Sequence, residues 1–67
     1  MIREHERVVL SVPVPEHGLK EGDVGTVVHL YEDELAYEVE FVALGGHTAA
    51  VVTLEPPQVR PIARDVA

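Results

Sequence analysis

Any chemistry in this chain must come from histidines, hydroxyls and carboxylates, because it has no cysteine. That absence also rules out a disulfide and a zinc ribbon. The four histidines, His5, His17, His29 and His47, fall in four different segments. Zinc sites draw on closely spaced ligand pairs such as His-x-x-x-His, and no such pair occurs here. Solvated or half-buried rings are the simpler expectation, with His29 the one a closed fold could bring near an acid. Ser11, Thr26, Thr48 and Thr53 are candidate nucleophiles, but a hydroxyl needs a base in reach to become one. No Gly-x-Ser-x-Gly elbow is present, and threonine within strands is expected from β-propensity alone. Glu38 and Glu40 could act as paired carboxylates. The same spacing of two also marks the wet side of an amphipathic strand, which is the plainer reading. Gly22, Gly25, Gly45 and Gly46 match no phosphate-binding loop, since no helix follows to offer its N-terminus. The sequence therefore assigns no catalytic, cofactor-binding or metal-ligating residue, and no cofactor is expected. An enzyme is not expected either, because 67 residues leave little room for both a core and an enclosed pocket.

The elements that would position these side chains are short strands. Val8–Val12 is β-branched and ends at Pro13. Pro13 and Pro15 block helix, so the stretch to Asp23 reads as a long extended loop, with Gly22 supplying a positive φ. Val24–Tyr31 is the second strand, and Gly25 in its interior signals a bulge or a close backbone approach. Residues Glu32-Asp33-Glu34-Leu35 form a hairpin turn. Ala36–Ala43 follows, where Tyr37, Val39 and Phe41 alternate with Glu38 and Glu40; period two puts the apolar trio inside and the acids in water. Leu44-Gly45-Gly46-His47 turns the chain into Thr48–Leu54. Glu55-Pro56-Pro57-Gln58 suits a single 3₁₀ turn. Val59–Ile62 closes as an edge strand, as Pro61 requires, and Arg64–Ala67 is expected to fray. The prediction is all-β: one domain over residues 1–67, a small five-stranded SH3-like barrel with a long loop after the first strand and a 3₁₀ turn before the last. Closing a barrel would remove most of the exposed sheet edge.

Charge narrows the partners. Twelve acids face five basic residues, for a net charge of −7. Nucleic-acid binders place a basic stripe on the phosphates, whereas here four of the five cations, Arg3, Arg7, Arg60 and Arg64, sit near the termini. Only Tyr31, Tyr37 and Phe41 are aromatic, and two of them are claimed by the core, which leaves no stacking platform. No stretch approaches the roughly 20 apolar residues of a membrane span, and no secretory leader is legible, so the cytoplasm is the expected compartment.

The run Leu19-Lys20-Glu21-Gly22-Asp23-Val24-Gly25-Thr26-Val27-Val28 resembles the turn-and-strand signature of SH3-like and KOW-type barrels. Arg7-Val8-Val9-Leu10, Pro15-Glu16-His17-Gly18-Leu19, Tyr37-Glu38-Val39-Glu40-Phe41, Val51-Val52-Thr53-Leu54 and Gln58-Val59-Arg60-Pro61 extend the likeness over nearly the whole chain. Together they resemble a family of small stand-alone bacterial proteins forming a domain of unknown function, found in cyanobacteria and in mobile gene pools such as integron cassettes. Leu44-Gly45-Gly46-His47-Thr48-Ala49 is less acidic than the corresponding family turn. The resemblance transfers no catalytic residue. It implies a neighbourhood of toxin–antitoxin or nuclease-like genes, and with it an antitoxin- or immunity-like accessory role.

One feature does not suit a solitary barrel. On an alternating reading, the second strand puts Val27 on one face and Val28 and Leu30 on the other. The fourth sets Ala49 and Val51 against Ala50, Val52 and Leu54. Apolar residues on both faces call for a second cover. A core this small rarely stabilises a chain by more than about 3–5 kcal/mol without a staple or a partner. A homodimer or higher oligomer is therefore expected, with Val28, Leu30, Ala49 and Val51 as its interface, unless the Pro13–Gly22 loop folds over that face. The expected function is an acidic, self-associating, non-enzymatic module that binds another protein. The alternative is a nucleic-acid-associated barrel using the terminal arginines.

Overall fold

A computed structural model of the chain describes residues 2–32, 35–42 and 48–62, without the side chains of Thr48 and Ala49. Five antiparallel strands form one sheet in the order β4-β3-β2-β1-β5. They are β1 (Arg7–Leu10), β2 (Val24–Leu30), β3 (Tyr37–Val42), β4 (Thr48–Leu54) and β5 (Val59–Pro61). A 3₁₀ turn at Pro56–Gln58 precedes β5, and there is no α-helix among the described residues. The ladder ends at β4 on one side and β5 on the other. Of the expected elements, Ala43, the Leu44–His47 turn, part of the Glu32–Leu35 turn and the Arg64–Ala67 tail lie outside the described residues.

The third strand follows its alternation. Tyr37, Val39 and Phe41 are buried, while Glu38 and Glu40 on the other face are half-exposed. The buried trio belongs to a single cluster that also draws Val8 and Leu10 from β1, Val27 from β2, Val52 and Leu54 from β4, and Val59 from β5. Every strand thus contributes to one core. Gly25 shows why β2 needs a glycine: a Cβ there would lie 2.6 Å from Val39 Cγ1 and 2.8 Å from Phe41 Cε1. The glycine marks the close approach that its place in a strand suggests.

The segment after β1 is more ordered than an extended loop. It folds into a 3₁₀ turn at Pro15–His17, ended by Gly18 at φ 69°. A bridge between Val14 and Leu19 then closes it. Those two residues are buried in the core cluster, so burial of an apolar pair organises a stretch that its prolines alone would leave extended. The Gly-Asp turn that follows is tied to β1. Gly22, at φ 96°, donates its N–H to Leu10 O (2.9 Å), and Leu10 N–H donates to Asp23 O (2.9 Å). The Asp23 carboxylate accepts the Lys20 N–H at 2.8 Å.

At the N-terminus, Arg3–Glu6 makes a tight turn. Arg3 N–H donates to the Glu6 carboxylate (2.9 Å), and Glu6 N–H donates to Arg3 O (3.1 Å). His5 takes a left-handed φ of 71° and donates its N–H to Val27 O at 2.6 Å. The turn lets Ile2 enter the core.

Candidate surface site on the outer sheet face

The face opposite the core is built in cross-strand rows. Arg7 of β1 pairs with Thr26 of β2, Thr26 with Glu40 of β3, and Glu40 with Val51 of β4. Toward β5, Arg60 pairs with Val9 and Val9 with Val24. Toward the other end of β2, His29 pairs with Glu38 and Glu38 with Thr53. Direct cross-strand partners point to the same side, so each row presents its side chains together.

Val24, Val42 and Val51 retain 46%, 55% and 47% of their surface on this face. A shallow, open depression of about 250 Å³ runs among Arg7, Val24, Gly25, Thr26, Glu40 and Val42. It joins an apolar wall to one cation and one carboxylate. The Pro13–Gly22 loop leaves these valines exposed, since its own apolar residues, Val14 and Leu19, go to the core.

The His29–Glu38–Thr53 row carries a polar network. Glu38 Oε1 accepts hydrogen bonds from Tyr31 Oη (2.9 Å) and Thr53 Oγ1 (2.8 Å). The bond to Glu38 raises the Tyr31 phenol above its ordinary range, since ionising it would lose that bond and set a phenolate beside the carboxylate. The His29 ring meets the Tyr31 ring edge-on with centroids 4.8 Å apart, and its Nδ1 lies 3.8 Å from Glu4 Oε2. A carboxylate holding two hydroxyl donors orders the surface. Thr53 and Tyr31 thus share one carboxylate as their acceptor.

The other chemistry-bearing residues are dispersed. His5 sits in the N-terminal turn and His17 in the first 3₁₀ turn, while His47 lies outside the described residues. No three histidines or acids gather as a metal site among the described residues. Glu38 and Glu40 do share a face, as their spacing implies. Glu38 is engaged by Tyr31 and Thr53, and Glu40 lines the depression opposite Arg7.

Of the four residues expected to form an association face, Leu30 is turned inward. A bulge between Val27 and His29 adds Val28 to β2 without a partner in β3. The bulge shifts the alternation by one residue. Leu30 therefore stands opposite Tyr37 and packs against the core, on the same side as Val27. Val28 and Val51 are exposed, and the Ala49 side chain is outside the described residues. The exposed strip is Val24, Val42 and Val51. Val24 and Val42 were legible as the outward positions flanking the buried ones. What the sequence could not reveal was the register that places them beside Arg7 and Glu40.

The fold and its outer face define a small all-β domain with a mixed apolar and charged surface. Residues 4–61 match the model of a family described as "Domain of unknown function (DUF4926)", and the chain belongs to that family. Comparisons with curated proteins and with solved structures gave no match. No helix among the described residues is long and apolar enough to cross a membrane.

Proposed function

We propose that this chain is a non-enzymatic binding module that self-associates and docks another protein on the outer face of its sheet. The observation that carries this reading is the strip formed by Val24, Val42 and Val51, which stays about half exposed across three adjacent strands. Exposed apolar residues on neighbouring strands with a polar rim have the make-up of a protein contact surface. Burying the exposed parts of three valines contributes on the order of 2 kcal/mol, so the rest of the affinity must come from the rim. With a net charge of −7, the fitting partner is apolar at its centre and basic at its edge. An antitoxin- or immunity-like accessory, acting on the product of a neighbouring gene, suits that charge and the gene surroundings the family resemblance implies. The test is co-purification of the tagged chain with the product of the adjacent gene. Retention with the native chain and loss with Val42→Lys supports this reading.

A second reading, association with nucleic acid, has one observation in its favour. Arg7 and Arg60 share the outer face, on the neighbouring strands β1 and β5. Arg3 is exposed, and Arg64 lies outside the described residues. Against it, Glu40 lines the same depression as Arg7. A salt titration separates the two readings, because phosphate contacts give a steep loss of affinity with salt, whereas a few rim charges around an apolar centre give a shallow one.

A further inference from the structure

The two ends of the sheet differ. Edge strands expose unpaired N–H and C=O groups, and natural sheets blunt them with proline, charge, bulges or brevity. The β5 edge is blunted: it has three residues, includes Pro61, and follows a turn that begins Pro56-Pro57. The β4 edge is not. It runs seven residues as Thr-Ala-Ala-Val-Val-Thr-Leu, with no proline, glycine or charged side chain. Among the described residues, its only strand neighbour is β3. In an antiparallel ladder the backbone groups of every second residue point away from the paired strand, so about half of the β4 amides face outward.

We propose that the β4 edge pairs antiparallel with the β4 edge of a second copy, about a two-fold axis near Val51, joining the two sheets into one. This rests on the self-association in the function proposed above and specifies the backbone edge as its seam. An uncharged strand is compatible with its own antiparallel image, because no like charges meet across the pair. The two-fold axis sets Val51 beside its symmetry mate on the outer face and keeps the two core faces on the same side.

Electrostatics favours this seam over stacking the two outer faces. Glu40 is the cross-strand partner of Val51, and Glu38 that of Thr53. Across an edge-to-edge seam the row reads Glu40, Val51, Val51, Glu40, so the carboxylates are three strand spacings, or about 14 Å, apart. That exceeds the screening length of about 8 Å at physiological salt. Face-to-face stacking at about 10 Å would instead carry the glutamates of both copies into a drying seam. In an edge pair, the two acidic bodies stay in water, and salt should strengthen the assembly slightly.

The experiment combines sedimentation equilibrium of the full chain with amide hydrogen exchange over Thr48–Leu54. The expected result is a species of twice 7.3 kDa at micromolar concentration, with both alternating sets of β4 amides protected and one set losing protection on dilution. Val51→Lys should give a monomer that keeps its β3-facing protection, because Val51 is exposed and its loss leaves the core intact. Val42→Lys, on the interior strand β3, should remain dimeric. A dimer in which one set of β4 amides exchanges freely overturns the edge pairing while leaving self-association standing. So does a dimer dissolved by Val42→Lys but not by Val51→Lys. A 7.3 kDa monomer at every concentration overturns both. Protection of both sets only with a second protein present overturns self-pairing in favour of a foreign strand.

Discussion

Val51 stands directly across the β3–β4 ladder from Glu40. This pairing sets an exposed valine and a carboxylate side by side on the outer face. It explains why that face is a mixed surface rather than a second core, and why a partner seated on it must answer charge as well as apolar area.

Gly25 is fixed by the core. A methyl group there meets Val39 and Phe41, both buried, and neither is a loose surface chain that can swing away. Gly25→Ala should destabilise by roughly 1–3 kcal/mol, as overpacking does. Urea unfolding will show a lower midpoint, and Phe41→Leu in the same chain should recover part of the loss.

Phe41 is 3% exposed and lies in the one core cluster. Phe41→Ala should cost about 3–5 kcal/mol, comparable to the whole stability of so small a domain. Far-ultraviolet circular dichroism should show a largely unfolded chain at 25 °C. A well-folded variant would place the core elsewhere.

Tyr31 titrates above its ordinary value because it donates a hydrogen bond to Glu38. A phenol whose folded pKa is raised contributes its stabilisation fully below the unfolded value of about 10, and loses it as pH rises through the folded value. The contribution is therefore intact at neutral pH and disappears only in alkali. Glu38→Gln should return the exposed phenol toward its ordinary range. Absorbance titration at alkaline pH in the Tyr37→Phe background reports Tyr31 alone, and an unchanged midpoint would show that the hydrogen bond does not form in solution.

Much of this fold is legible in the sequence, and the reasons differ from one element to the next. The third strand is read directly because Tyr37, Val39 and Phe41 alternate with two acids, and only one register keeps those acids in water. The Gly22-Asp23 turn is equally clear, since a positive φ leaves few residue choices. Leu30 departs for a physical reason: a bulge moves the alternation by one, and nothing in Val-Val-His-Leu announces it. Val14 and Leu19 are hidden among prolines and glycine, and their burial comes from a bridge between them rather than from local propensity. Ile2 enters the core only because the Arg3–Glu6 turn aims it there. The site depends on which residues become cross-strand partners, and pairing is a long-range property that a single strand does not encode.

No metal should copurify. The described histidines and acids do not converge, so elemental analysis should give far less than one zinc per chain, and a chelator should leave the melting temperature unchanged. A ratio near one, with a marked drop in melting temperature on chelation, would contradict this.

Titration calorimetry of the full chain against the product of the adjacent gene, at two salt concentrations, bears most directly on the docking face. A saturable complex is expected, weakened about tenfold or more by Val42→Lys at the centre of the strip, and losing affinity with salt less steeply than a nucleic-acid complex does. A complex indifferent to Val24→Lys and Val42→Lys would contradict the assignment of that face. Heat only on adding nucleic acid, vanishing steeply with salt, would replace protein docking with the arginine-based reading.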